Sequence, residues 1–451
     1  MSLEFNWEPI GNYVNILSGF AFKSKDFIDE GIPVIKIKNI VPPDVVLDDV
    51  QYVSDKFLVE KSNYVLNKGD ILITLTGSNV NQMASAVGQV AKINFNEPSL
   101  LNQRVAKLIP KDQSICNIDY FYYILSTDEM HYNLASRASG SANQANINPT
   151  IIKSMETLVP PIEIQNKIVN ILKNIDEKIN INKEINKNLE QLMKCIFDDW
   201  FVNFNYSENI IFKSSELGEI PSNWDVKKLG DVLITLESGK RPKGGISDID
   251  EGIPSIGAEN ILGLGNFDYS KNKLISHDFF NQMKKGIIQD QDVLLYKDGA
   301  QLGRKSLFMN GFPFDVCCIN EHVFRLQSND EISQFYLYLW LDQPIMTNEI
   351  INLNSNSAQP GINQTDVKSL PILVPDINIM TKFENIVSPM MNQIFDNALE
   401  SNKLSQLRDT LLPKLMSGEI DVSQINCDSK NYTKININPF TITKQNNLIE
   451  A

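Results

Sequence analysis

The sequence predicts an α+β chain in which two similar mixed α/β globular units are separated by two long helices forming an antiparallel coiled coil, related by a pseudo-two-fold axis. Three observations carry this expectation: a series of motifs that occurs twice in the same order, short strand-like runs inside each copy, and a heptad-spaced apolar seam after each copy.

The repeat comes first, because a long internal period fixes architecture before any local propensity is weighed. The first half runs GNYVNILSG (Gly11 to Gly19), GIPVIKIKNI (Gly31 to Ile40) and GDILITLTGS (Gly69 to Ser78). The second half answers with GDVLITLESG (Gly230 to Gly239), GIPSIGAENI (Gly252 to Ile261) and QDVLLYKDGA (Gln291 to Ala300). Further on, NQRVAKLIP at Asn102 pairs with NEHVFRLQS at Asn320, and NQANINPT at Asn143 with AQPGINQT at Ala358. The offset stays between 215 and 222 residues, which marks a duplication.

Within each copy, VIKIKNI and DILITLT alternate as short half-buried strands do, with Gly and Asn at the turns. DYFYYILS and SQFYLYLW read as helices, and their aromatics are expected in the core. From Ile164 a seam runs through Ile168, Ile171, Ile175, Lys178, Asn182, Ile185, Leu189, Leu192 and Ile196 in steps of four and three. A second runs Phe383, Val387, Met390, Ile394, Asn397, Ser401, Leu404. Both turn polar midway, so antiparallel pairing sets Lys178 and Asn182 near Asn397 and Ser401. A parallel pairing would match the same centres; the long insert between the helices favours the antiparallel one. Pro389 predicts a kink or a late helix start.

Composition bounds the chemistry. A formal charge of -14 argues against a simple polyanion binder, although screening over roughly 8 Å makes local patches matter more than the total. Lys36/Lys38, Lys240/Arg241/Lys243 and Arg304/Lys305 are such patches. Five cysteines without a CxxC pair predict reduced thiols, neither a disulfide framework nor a zinc ribbon. No long apolar run or signal-like N-terminus occurs, so a soluble, cytoplasmic protein without a membrane partner is expected. A P-loop and a methyltransferase-like NPPY are missing, since Asn148-Pro149 continues into Thr150-Ile151, and His131, His277 and His322 form no HExxH.

What remains suits DNA reading, which needs donors and acceptors for base edges and cations for phosphates. Lys36, Lys38 and Asn39 follow a strand in the first unit, and Glu259 and Asn260 hold the matching place in the second. Ser78 and Asn79 sit in a small-residue turn whose counterpart carries Lys297 and Gln301, and Gln103 and Arg104 correspond to Glu321 and His322. With Lys240, Arg241, Lys243, Arg304 and Lys305 these form the candidate DNA-binding set, against which stands the plain reading of solvated turns. Two other classes stay open: a metal-dependent nuclease at Asp290/Asp292, whose counterpart near Asp70 lacks the first carboxylate, and a coiled-coil protein-binding scaffold that does not read DNA.

The order of unit, helix, unit, helix, with the GDILIT-like motif, VPPIEIQNKIVNIL (Val159 to Leu172), FDDWFVNF (Phe197 to Phe204) and LGEIPSNWDVKKLGDV (Leu217 to Val232), resembles the specificity subunits of type I restriction-modification systems over residues 5 to 422. The second helix departs from the pattern, starting VPDINIMTKF where a PP-x-x-EQ-like start is usual, and an Asn-rich tail follows Glu419. The resemblance implies target recognition domains at 1–161 and 205–375, spacer helices at 162–204 and 376–418, and a polar tail at 419–451. It further implies a non-catalytic subunit that binds double-stranded DNA at a bipartite target and works with two methyltransferase subunits and, in restricting systems, restriction subunits. This chain would bind no cofactor itself; S-adenosylmethionine, ATP and Mg would serve the partners. The paired helices would set the distance between half-sites.

Overall fold

The computed structural model describes residues 6–141, 144–242, 245, 249–354 and 361–423. Contacts divide the chain into two units, one of residues up to 175 together with those from 407, the other of residues 176–406. Each long helix therefore contributes to both units, where the sequence had set the helices apart from the globular parts.

In the first unit, strands Val14–Ser18, Val105–Pro110, Ile71–Thr74 and Val90–Lys92 lie side by side in that order, and Ile32–Ile35 pairs parallel to Ser99–Leu101. The second unit repeats both arrangements, with Leu233–Ser238, Val323–Ser328, Asp292–Tyr296 and Lys305–Phe308 in one sheet and Ile253–Ile256 parallel to Cys318–Ile319. The duplication is thus one of topology as well as sequence. Ile71 to Leu75 are all buried, so this central strand lies inside on both faces and is not half-buried. The run after Ile35 turns at once into a 3-10 turn, Ile37–Asn39, because the Asn39 carboxamide accepts from the Lys36 N–H at 3.1 Å and closes the turn.

Two close approaches repeat as well. A Cβ on Gly19 would sit 2.2 Å from the Asn102 carbonyl oxygen, and one on Gly239 would sit 1.6 Å from that of Ile319, so only glycine fits where each strand ends. In each globular part an early strand also pairs antiparallel with the last: Asn6–Pro9 with Glu156–Val159, and Asp225–Lys228, which follows the hairpin Phe212–Ser215/Gly218–Pro221, with Pro371–Val374.

Helices Ile118–Leu125 and Gln334–Asp342 start on Asn117 and Ser333 caps and bury their aromatics, as expected. In each, one buried phenol bonds a strand carbonyl: Tyr120 donates to that of Leu158 at 2.8 Å, and Tyr336 to that of Leu373 at 2.7 Å. In the second unit Phe201 meets Phe383 edge-on, with centroids 4.9 Å apart.

The first long helix spans Ile162–Phe197 and continues into a π turn, Asp198–Val202; the second spans Ile377–Met416 and runs through Pro389, so the late start does not occur. Within the second unit the helices run antiparallel: Lys178 pairs with Glu400 at 2.9 Å, Asn182 donates to Ser401 at 3.2 Å, and Asn186 donates to the Ile394 carbonyl at 3.0 Å. The expected polar centre is there. The buried knobs between every-seventh positions are Leu172, Ile179 and Met193, not Ile171, Lys178 and Leu192; Ile185 and Leu192 face outward. Both choices keep the heptad step, and only tertiary packing, which includes the globular cores at Leu172 and Met193, decides between them.

Candidate nucleic-acid interface

Three backbone hydrogen bonds gather the loops at the strand ends of the first unit. Gln103 N–H donates to the Phe20 carbonyl at 3.0 Å, Asn102 N–H to that of Ile35 at 3.1 Å, and Leu75 N–H to that of Arg104 at 2.9 Å. The second unit gathers the matching loops through Gly239 N–H to the Asn320 carbonyl at 3.1 Å, Asn320 N–H to that of Ile256 at 3.0 Å, and Lys297 N–H to that of His322 at 3.1 Å. One backbone frame therefore presents two different sets of side chains.

In the first unit Gln103 and Arg104 are exposed on this platform, and Ser78 pairs with the Ser85 hydroxyl at 2.8 Å. Asn79 caps the following turn by accepting from the Asn81 N–H at 3.0 Å. Lys38 is bonded to Asp49, while Lys36 reaches Gln51 and lies 4.0 Å from the Phe27 ring centre. Burial, with Lys38 nearby, holds the Lys36 ammonium below its ordinary range.

The second unit carries a mixed network. Arg241 meets Glu321 at 3.1 Å, Glu321 meets His322 Nε2 at 3.3 Å, and His322 Nδ1 lies 2.7 Å from Asp298, whose other oxygen is 3.4 Å from Lys297. Burial works against the Glu259 carboxylate, but Lys273 and Arg241 prevail and hold its pKa below the usual value. Lys240 and Gln301 are exposed; Lys243 lies outside the described residues.

Three candidates are corrected by their burial. Asn39 and Asn260 have next to no exposed area, and each accepts from the backbone N–H three residues earlier, from Lys36 and Gly257. Buried in this way, their side chains shape the loops. Lys305 is buried too, bonded to Thr347 and 3.9 Å from Asp342, and burial pushes its ammonium down to about 8. Beside it, exposed Arg304 and Gln301 line a pocket of about 670 Å³ that Lys194 and Asp342 also border.

The nuclease reading fails on the same ground. Asp292 is fully buried and bonded to Arg325, which also meets Glu237 at 3.0 Å; burial pushes its carboxyl up and Arg325 opposes this. Asp70 makes the matching pair with Lys107 at 2.6 Å in the first unit. A carboxylate held this way in both copies is part of the frame. Among the described residues no group of three or more His, Cys, Asp or Glu could hold a metal ion, and no helix is long and apolar enough to cross a membrane.

One element escaped sequence reading. Strands Ser139–Ser141 and Gln144–Asn146 form a ribbon beside Thr76–Gly77, tied to it by Thr76 Oγ1 donating to Asn146 Oδ1 at 2.7 Å. Its polar, glycine-containing sequence carries no apolar alternation that would mark it as strand.

A duplicated frame that varies its loop side chains is the architecture of a two-domain recognition protein. Residues 5–191 and 221–408 match the type I restriction modification DNA specificity domain, and the chain belongs to that family. It is similar to the specificity subunit of the type I restriction enzyme MjaIX from Methanocaldococcus jannaschii, with 26% identity covering 83% of this chain and 82% of that one. It is also similar to the EcoBI specificity subunit from Escherichia coli, with 22% identity over 93% and 87% of the two chains. The crystal structure of the type I S subunit from M. genitalium shares the fold, with a TM-score of 0.54 and 15% identity over 92% of this chain and 96% of that one.

Proposed function

We propose that this non-catalytic specificity subunit reads a bipartite, asymmetric DNA target, each unit taking one half through its gathered loops, and brings partner adenine methyltransferase and restriction subunits to it. The observation that carries this reading is the pair of equivalent loop-gathering backbone bonds, Asn102 to Ile35 with Leu75 to Arg104 in one unit and Asn320 to Ile256 with Lys297 to His322 in the other, around side chains that differ between the copies. A kept frame with changed chemistry is what two readers of different sequences require.

On this reading the complex works in the cytoplasm, S-adenosylmethionine, ATP and Mg act in the partners, and two methyltransferase subunits attend the two half-sites. Ile181, Ile185 and Leu192 support a partner on the first long helix, since they recur at heptad spacing yet are 51%, 38% and 47% exposed.

The test is exchange of residues 1–160 for the same segment of another family member, with methylome sequencing of cells that carry each version. One half of the methylated motif should change while the other half stays. A motif that changes in both halves refutes independent reading, and a chain without effect on methylation favours a scaffold that does not read DNA.

A further inference from the structure

The ribbon Ser139–Ser141 and Gln144–Asn146 has two unlike faces. Its register sets Gly140 opposite Ala145, and Ser139 and Ser141 opposite Asn146 and Gln144. Ala145 is 1% exposed and belongs to the first unit's core, so on the strand Gln144–Asn146 this face is turned inward, while Gly140 opposite it stays exposed at the ribbon's edge. Gly140 has φ +127°, and a Cβ there would lie 2.3 Å from the Gln144 carbonyl oxygen, so the two strands close only on glycine. Because side chains alternate across a strand, Ser139, Ser141, Gln144 and Asn146 share the outward face, and all four are exposed.

The ribbon's position is fixed from the platform. Ile147 N–H donates to the Leu75 carbonyl at 3.0 Å, and in the second unit Ile362 N–H makes the same bond to the Lys297 carbonyl at 2.9 Å. Where the first unit bridges Thr76 to Asn146, the second bridges Asp298 to Gly361, so the backbone is kept and the side chain at this place is changed.

An outward face of two hydroxyls and two carboxamides, without charge, is poorly made for phosphates, whose attraction is mainly electrostatic. It is well made for base edges: the major groove admits a two-stranded ribbon, and a Gln or Asn carboxamide pairs with adenine N6 and N7 at once. The Asn146 carboxamide oxygen already accepts from Thr76. We propose that this ribbon is a base-reading element of the first unit and that the Gln144 carboxamide specifies an adenine in the major groove of the first half-site. The proposal rests on the DNA reading above.

The experiment uses the full chain reconstituted with its methyltransferase partner, duplexes carrying the wild-type motif, and duplexes with each single base replaced. Gln144→Ala should cut discrimination at one A·T position of the first half-motif by about tenfold to a hundredfold, the worth of a bidentate contact of roughly 1–3 kcal/mol. All other positions should stay as strict as before. Gln144→Lys should shift preference at that position towards guanine. Unchanged discrimination, an equal loss of affinity on every duplex, or relaxation in the second half-motif would each overturn the proposal. A wild-type complex with no motif preference would refute instead the DNA reading on which it rests.

Discussion

Arg325 closes on Asp292 inside the second unit's sheet, with the carboxylate fully buried and the guanidinium nearly so. Arg325→Ala leaves a buried acid unpaired and should cost roughly 3–5 kcal/mol of stability, whereas removing both charges with Asp292→Asn and Arg325→Leu should recover much of it. Urea unfolding of the single and the double variant measures this. Equal losses in the single and double variants would mean that the pair is not coupled. Lys107→Ala breaks a pair whose side chains are each about one-fifth exposed, so its cost should be smaller.

The Asn182 carboxamide donates to Glu400 at 2.7 Å and to Ser401, while Asn397 donates to Asn186 at 2.8 Å. Asn182→Ala should destabilise by roughly 1–3 kcal/mol, and Asn182→Ala with Asn397→Ala should cost less than the sum of the singles. Strict additivity would show that the polar centre is a set of independent bonds.

Lys305 gives a pH dependence of definite sign. Its folded pKa lies near 8, below the ordinary 10.5, so the folded state sheds the proton first as pH rises. Stability contributed by this group therefore increases between about pH 8 and 10.5. Lys305→Met should flatten that rise and stabilise the protein at pH 7 by roughly 2 kcal/mol, as expected when a desolvated charge is replaced by a side chain of similar length. A loss of stability at pH 7 would assign the Lys305 contact to Thr347 a larger worth than its desolvation costs.

Much of this architecture was legible in the sequence, because a duplication announces itself at any distance and burial of aromatics such as Tyr120 and Tyr336 follows from their runs. Other features were not. The seam was right at Ile164, Ile168 and Asn182 and off by one at Leu172, Ile179 and Met193, since apolar residues stood at both choices in several turns. Burial of Asn39, Asn260 and Lys305 was illegible because polar residues near turns look exposed until tertiary contacts close over them. The pair of Asp292 with Arg325 joins strands far apart in sequence, and the ribbon at Ser139 carries no apolar alternation to reveal it.

Helix length offers a further test of the spacing expected between half-sites. Removing a heptad between Phe383 and Ile394 would take out Val387, and one between Ile185 and Ile196 would remove or shift Met193; both are buried in the second unit's core. Residues 173–178 and 402–408 are exposed or only partly buried and suit insertion better. One added heptad in each, about 10 Å of helix at 1.5 Å per residue, should lengthen the nonspecific spacer by up to about three base pairs. An unchanged spacer in an active variant, read by methylome sequencing, would remove helix length as its determinant.

The clasped ends of each globular part carry a consequence for inheritance. Because Asn6–Pro9 lies against Glu156–Val159, and Asp225–Lys228 against Pro371–Val374, the chain enters and leaves each part at one place. A genetic crossover at those two ribbons replaces the whole cassette between them and cuts across none of the sheets inside. On the proposed reading such an exchange would bring a new half-specificity in one step, provided that the incoming cassette keeps the side chains that pack on Leu412, Leu415 and Met416 in the first unit or on Met193, Phe197 and Phe201 in the second.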